Sequence, residues 1–125
     1  MFIRFQAPKK NQRGIHVEIF GLANSLGHRG LLSEEDHQLW RSMNDWYNAA
    51  YPHPTAAFPD VYDDAVNPGA VAWFKSTAVH LLERIPPYLQ LLERYGVDCE
   101  SVTSNDPGRV VYEDEFQIVV VPREG

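Results

Sequence analysis

The chain has 125 residues, 44% apolar and 22% charged, with a net charge of −6. That length suits one domain able to close a core unaided, and the single Cys99 excludes an internal disulfide and a cysteine-rich zinc cluster. The acidic balance opposes a phosphate backbone, and no apolar run reaches signal-peptide or membrane-spanning length. The expectation is a single domain over 1–125 in the cytoplasm, with no nucleic-acid or membrane partner. Lys9, Lys10 and Arg13 form a basic cluster of ordinary loop size.

Phe2, Ile3 and Phe5 predict a first strand, ended by Ala7-Pro8. Residues 9–14 read as a polar loop. From Ile15 to Leu26 two periods compete: Ile15, Val17 and Ile19 alternate as in a strand, whereas Ile19, Leu22, Ala23 and Leu26 follow helical spacing. A helix over 17–26 is the preferred reading, with Gly27 as its C-terminal stop.

The clearest helix begins after Ser33, a good N-cap followed by Glu34, Glu35 and Asp36, acids that the helix dipole favours in a first turn. Leu39, Trp40, Met43, Trp46, Tyr47 and Ala50 form its apolar stripe. Glu34, Gln38, Arg41, Asp45 and Asn48 fall on the other side, and Pro52 and Pro54 end the helix near Tyr51. Core packing accounts for the aromatic stripe.

Residues 51–69 hold four prolines and neither period. Tyr51, Phe58 and Tyr62 predict that this segment packs on the body, and such a loop is the first place to seek a binding surface. Residues 70–74 fit a strand or the first turn of a helix, with the strand preferred and Ser76 as the next cap. Ala78, Leu81, Leu82, Ile85, Leu89 and Leu92 then keep helical phase through Pro86-Pro87, so a helix kinked at the prolines is expected, ending at Gly96. Val97–Thr103 reads as a mixed strand and 105–108 as a turn. Arg109–Tyr112 and Phe116–Val121 form a β-hairpin.

The fold class expected is therefore α+β, with a four- or five-stranded, largely antiparallel sheet and three helices packed mainly on one face.

No catalytic or metal signature stands out. His16, His28, His37, His53 and His80 lack the spacing that sets two imidazoles on one helical face, and Asp60, Asp63 and Asp64 lack the order of a calcium loop. Gly21, Gly27 and Gly30 lack the lysine and spacing of a phosphate loop. Cys99 reads as a packed thiol. No cofactor and no metal are expected.

Residues 73–75 (WFK), the helix end 91–96 (LLERYG) and the hairpin 107–122 (PGRVVYEDEFQIVVVP) resemble an uncharacterised group of small bacterial proteins. Those proteins share a WF-K/R segment, an LL-x-x-x-G helix end and a final PG-x-[IV]-x-Y-x-D-x-x-Q-V hairpin. Residues 19–26 also match the group's early helix. The resemblance supports the fold and the helix over 17–26 and implies no activity, and Pro86-Pro87 departs from its pattern.

Two functional readings follow. The first is a non-catalytic interaction module (a regulator, accessory subunit or toxin-neutralising partner) engaging another protein of basic character. It would use Phe58, Tyr62 and Asp63 on the long loop and Tyr112, Glu113, Asp114, Glu115 and Gln117 on the hairpin. The second is a small enzyme or small-molecule binder with its site under the 51–69 loop. It draws on His53, Asp60, Asp63, Asp64 and His80, and it requires that these converge on one pocket.

Overall fold

The computed structural model describes residues 1–123. Five strands, β1 (Phe2–Gln6), β2 (Val71–Lys75), β3 (Glu100–Ser104), β4 (Arg109–Glu113) and β5 (Gln117–Val121), form one antiparallel sheet in the order β3-β1-β2-β5-β4. Against one face pack α1 (Ile19–His28), α2 (Glu34–Ala50) and α5 (Pro86–Arg94); α3 (Pro54–Ala57) and α4 (Val79–Leu82) are single turns. No helix among the described residues is long and apolar enough to cross a membrane.

The helices form where capping and phase agree. Ser33 Oγ accepts from the Asp36 N–H at 3.1 Å, and Asp36 in turn receives Arg94 Nη2 at 2.7 Å and the Tyr95 hydroxyl at 2.8 Å, which ties the start of α2 to the end of α5. The buried face of α2 centres on Trp40 and Tyr47, with Met43 and Asn44 half-buried; Leu39, placed on the stripe by its spacing, is 40% exposed. Trp46 lies partly covered beneath the Arg84 guanidinium, 4.3 Å from its ring.

Two helix ends share one device. Gly96 has φ 69°, and the pairs Gly96 N–H to Glu93 O and Val97 N–H to Leu92 O complete a Schellman motif after α5, as expected. The same pairs recur after α1 at Gly30 (φ 68°), from Gly30 to Gly27 O and from Leu31 to Leu26 O. Gly27 is therefore not the stop. It is buried inside α1, where a Cβ would meet the Trp40 ring at 2.5 Å, so its small size admits the α1–α2 approach.

The proline-interrupted helix is two pieces. Its break at 83–85 precedes Pro86-Pro87, which start α5 in the first-turn positions where a missing N–H costs nothing, and α4 begins after Ala78 rather than Ser76. The apolar phase survives the break, because Ala78, Leu81, Ile85, Tyr88, Leu91 and Leu92 are all buried in one core.

The turn at 105–108 does not join neighbouring strands. It links β3 to β4, the opposite edges of the sheet. A flat five-stranded sheet sets its edges about 19 Å apart, whereas the steps from Ser104 to Arg109 reach roughly 17 Å at full extension. The sheet therefore curls toward the face away from the helices. This explains why Gln117–Val120 of β5 is buried at every residue rather than at alternate ones.

Inside the sheet, between β1 and β2, lies a seam. The β1–β2 ladder holds only Phe2↔Lys75 and Ile3↔Phe74, while β1–β3 runs for five pairs. Past Ile3, the chain following β1 folds back so that Gln6 pairs with Glu18 and the Ala7 N–H bonds Val17 O at 2.7 Å. The Arg4 side chain bridges this seam, donating from Nη1 to Ala72 O (2.8 Å), from Nη2 to His16 O (2.9 Å) and from Nε to Gln6 Oε1 (2.9 Å).

Candidate functional site

A cavity of about 350 Å³ opens between α1, α2 and the segment that follows α2. α1 and its N-cap supply Glu18, Phe20 and Asn24, α2 supplies Asn44, Tyr47 and Asn48, and the proline segment 51–55 with Tyr62 covers it. Ala72 and Gln117 of the sheet complete the wall.

Its polar groups are fixed from behind by other elements. The Tyr88 hydroxyl donates to Asn44 Oδ1 at 2.6 Å, and Asn44 Nδ2 to Asn24 Oδ1 at 2.9 Å, which also accepts from Trp40 Nε1 at 3.0 Å. This relay crosses from α5 through α2 to α1 and holds two cavity amides in one orientation. Gln117 is 1% exposed and spends both hydrogens of its amide nitrogen, on Pro52 O (2.8 Å) and on Asp114 Oδ2 (2.9 Å). It thereby clamps the start of the covering segment to the sheet.

Glu18 differs from the other lining residues. It occupies the N-cap position of α1, yet its side chain makes no capping bond. Its carboxylate accepts no hydrogen bond from any described side chain, and the nearest cation, Arg4 Nη1, stands 3.9 Å away. The side chain lines the cavity and keeps 45% of its surface accessible to solvent. Desolvation in that concave setting raises its pKa, and Arg4 opposes the rise. Nearby, desolvation and the charge of Glu18 push the Tyr62 hydroxyl up to about 12 and raise Tyr51 further.

The residues singled out in the sequence fare unequally. His53 lines the cavity from its rim. Asp60, Asp63 and Asp64 are exposed and do not reach it. Asp63 Oδ1 caps the Ala65 N–H at 2.8 Å, and Asp64 accepts from Arg13 at 3.2 Å and from the Gly69 N–H at 3.3 Å, so these acids shape a loop. His80, also exposed, stacks edgewise on Phe116 (4.8 Å between centroids). The required convergence of these five groups is absent; a cavity does lie under the start of the loop, built from other residues.

On the surface proposed for a partner, Phe58 is 59% exposed and meets the Tyr112 ring edge-to-face, while Val61, 2% exposed, anchors the loop to the body. Tyr62 belongs to the cavity. Asp114 is the hub of the β4–β5 turn, where Oδ1 accepts from the N–H of Phe116 (2.8 Å) and Gln117 (3.1 Å) and Oδ2 from the Tyr112 hydroxyl (2.7 Å) and the Gln117 amide. Glu113 pairs with Lys75, and Glu115 is exposed. Desolvation works against the ionised Asp114, but these hydrogen bonds outweigh it and leave its pKa lowered.

Sequence reasoning passed over Glu18, Asn24, Asn44 and Asn48. Asn44 carried a signal, since it sits midway between Trp40 and Tyr47 on the apolar face of α2, where a polar group must find a partner inside. Cys99 is half-buried against the core, and desolvation, with Glu100 beside it, raises its thiol to about 11, which keeps it un-ionised.

A second cavity of about 340 Å³ lies on the far face of the sheet, lined by Arg4, Val71, Trp73, Val102, Pro107 and others. Among the described residues no group of three His, Cys, Asp or Glu side chains is placed to hold a metal ion. Compared with known proteins, the chain matches no family model, no curated protein and no solved structure.

Proposed function

We propose that this protein binds a small molecule in the cavity beneath residues 51–62. The observation that carries the reading is Glu18, a carboxylate in a cavity that also holds Phe20, Tyr47, Tyr51 and Tyr62, which forgoes its local cap and has no donor among the described side chains. Partial desolvation of that acid works against its charged form, and a ligand supplying a positively charged or donor group would offset it. The volume falls in the range of small-ligand sites, and the Asn44–Asn24 relay and Gln117 clamp give it pre-set walls. The role is binding rather than turnover, since no hydrogen-bonded pair of nucleophile and base occurs among the described lining residues.

An interaction module for a basic protein is the weaker reading, because Asp114 and Gln117 are spent on internal bonds. The two separate in a fragment screen followed by backbone amide NMR. Binding fragments should shift the resonances of Glu18, Asn24, Asn44 and Tyr62 together. Hits confined to other surfaces, or none from a chemically diverse set, would defeat the small-molecule reading.

A further inference from the structure

Building on that reading, we infer that the ligand is a small organic cation, an amine or quaternary ammonium compound, held by Glu18 among the rings of Tyr51 and Tyr62. Among the described lining residues Glu18 is the only acid, and neither lysine nor arginine is present. The remaining wall combines Phe20, Tyr47, Tyr51 and Tyr62 with uncharged amides, proline and small side chains, and His53 at the rim. A carboxylate amid tyrosine rings is the combination that attracts a cation by Coulomb energy and by the negative ring faces.

Arg4 does not fill this role itself. Three of its N–H groups are committed to Ala72 O, His16 O and Gln6 Oε1, and its approach to Glu18, at 3.9 Å, is an ion contact without a hydrogen bond. It steadies the carboxylate from behind and leaves the cavity side open. An anionic ligand would meet Glu18 with no lysine or arginine on the wall to receive it. A neutral ligand would leave the acid without a counter-charge on the cavity side. The chain's net charge of −6 adds a long-range bias toward cations.

The acid's environment also gives the binding a pH signature. Glu18 must be ionised to hold a cation, and burial raises its pKa, so affinity should rise with pH through that raised value. The titratable groups around Glu18 are Arg4, Tyr51 and Tyr62, with His53 at the cavity rim. The pH dependence should therefore persist in His53→Gln and vanish in Glu18→Gln.

The test is an NMR titration of the intact chain with choline and with butylamine, each against an uncharged analogue of the same shape, dimethylbutanol and butanol. The cation should bind at least about tenfold more tightly than its analogue. Glu18→Gln should abolish that preference while circular dichroism stays native; should the variant fail to fold, the wild-type pH profile decides. Equal binding of cation and analogue, or a preference that survives Glu18→Gln, would overturn the charge assignment and leave the cavity as a ligand site. No response to any of the four probes would also overturn it, and the fragment screen then decides separately whether the cavity binds small molecules.

Discussion

The β4–β5 turn looks like a solvated acidic loop in sequence, and there Asp114→Asn would be nearly silent, as most surface changes are. The structure predicts otherwise. An asparagine can keep its carbonyl oxygen on the N–H groups of Phe116 and Gln117, but it replaces Oδ2 with an NH2 that faces the Gln117 amide nitrogen, itself a donor. Gln117 cannot rotate its amide without breaking the bond to Pro52 O. It is 1% exposed, so the stranded hydrogen cannot find water. The Tyr112 hydroxyl can adapt by accepting. One orphaned donor and one weakened charge-assisted bond should together cost about 2 kcal/mol. Urea unfolding should show a lower midpoint at unchanged slope. The folded-state pKa of Asp114 is depressed, so its contribution is complete above the unfolded carboxyl value near 4 and is lost as pH falls through the folded value. The gap between wild type and variant should therefore close in acid. A gap below about 0.5 kcal/mol at neutral pH, or one that stays constant into acid, would refute the reasoning.

Ser33→Ala removes the cap on the Asp36 N–H and should cost about 1 kcal/mol in urea unfolding. Gly27→Ala gains helix propensity of about 1 kcal/mol but drives a methyl into the Trp40 ring, so thermal unfolding should register a net loss of at least about 1 kcal/mol. Arg4→Met removes three bonds from a buried cation and should destabilise by about 3 kcal/mol, measured by urea unfolding. It should also raise the pKa of Glu18, whose only opposing influence is Arg4, as read by carboxyl carbon NMR.

The strands and the long helices were legible because their residues carry period and cap together: Ser33 with three acids, Gly96 after Arg94, and the β-branched runs that became β4 and β5. What escaped was information held between elements. Gly30 and Gly27 stand three residues apart in one helix end, and only the position of Trp40 reveals which needs a left-handed backbone and which needs a missing side chain. The site escaped for a related reason. Glu18 lies where strand and helix periods overlap, and its neighbours in space, Tyr62 and Gln117, come from elements far along the chain. Conversely, the Asp60, Asp63 and Asp64 cluster drew notice because acids adjacent in sequence suggest a shared task, whereas here Asp63 and Asp64 serve successive turns of one loop and Asp60 is exposed.

The strand order also sets the course of folding. Among the sheet's pairings only β4 with β5 joins strands a few residues apart; β1 and β2, though successive strands, are separated by residues 7–70, β2 must wait for β5, and β1 cannot be enclosed until residues 100–104 arrive on its other side. The 109–121 hairpin is therefore expected to form first and the insertion of β1 between two distant strands to come late. Such non-local closure belongs with folding in milliseconds to seconds rather than microseconds. Because β1 meets β2 through two residue pairs and one arginine, the amides flanking that seam should be the first of the sheet to exchange with deuterium.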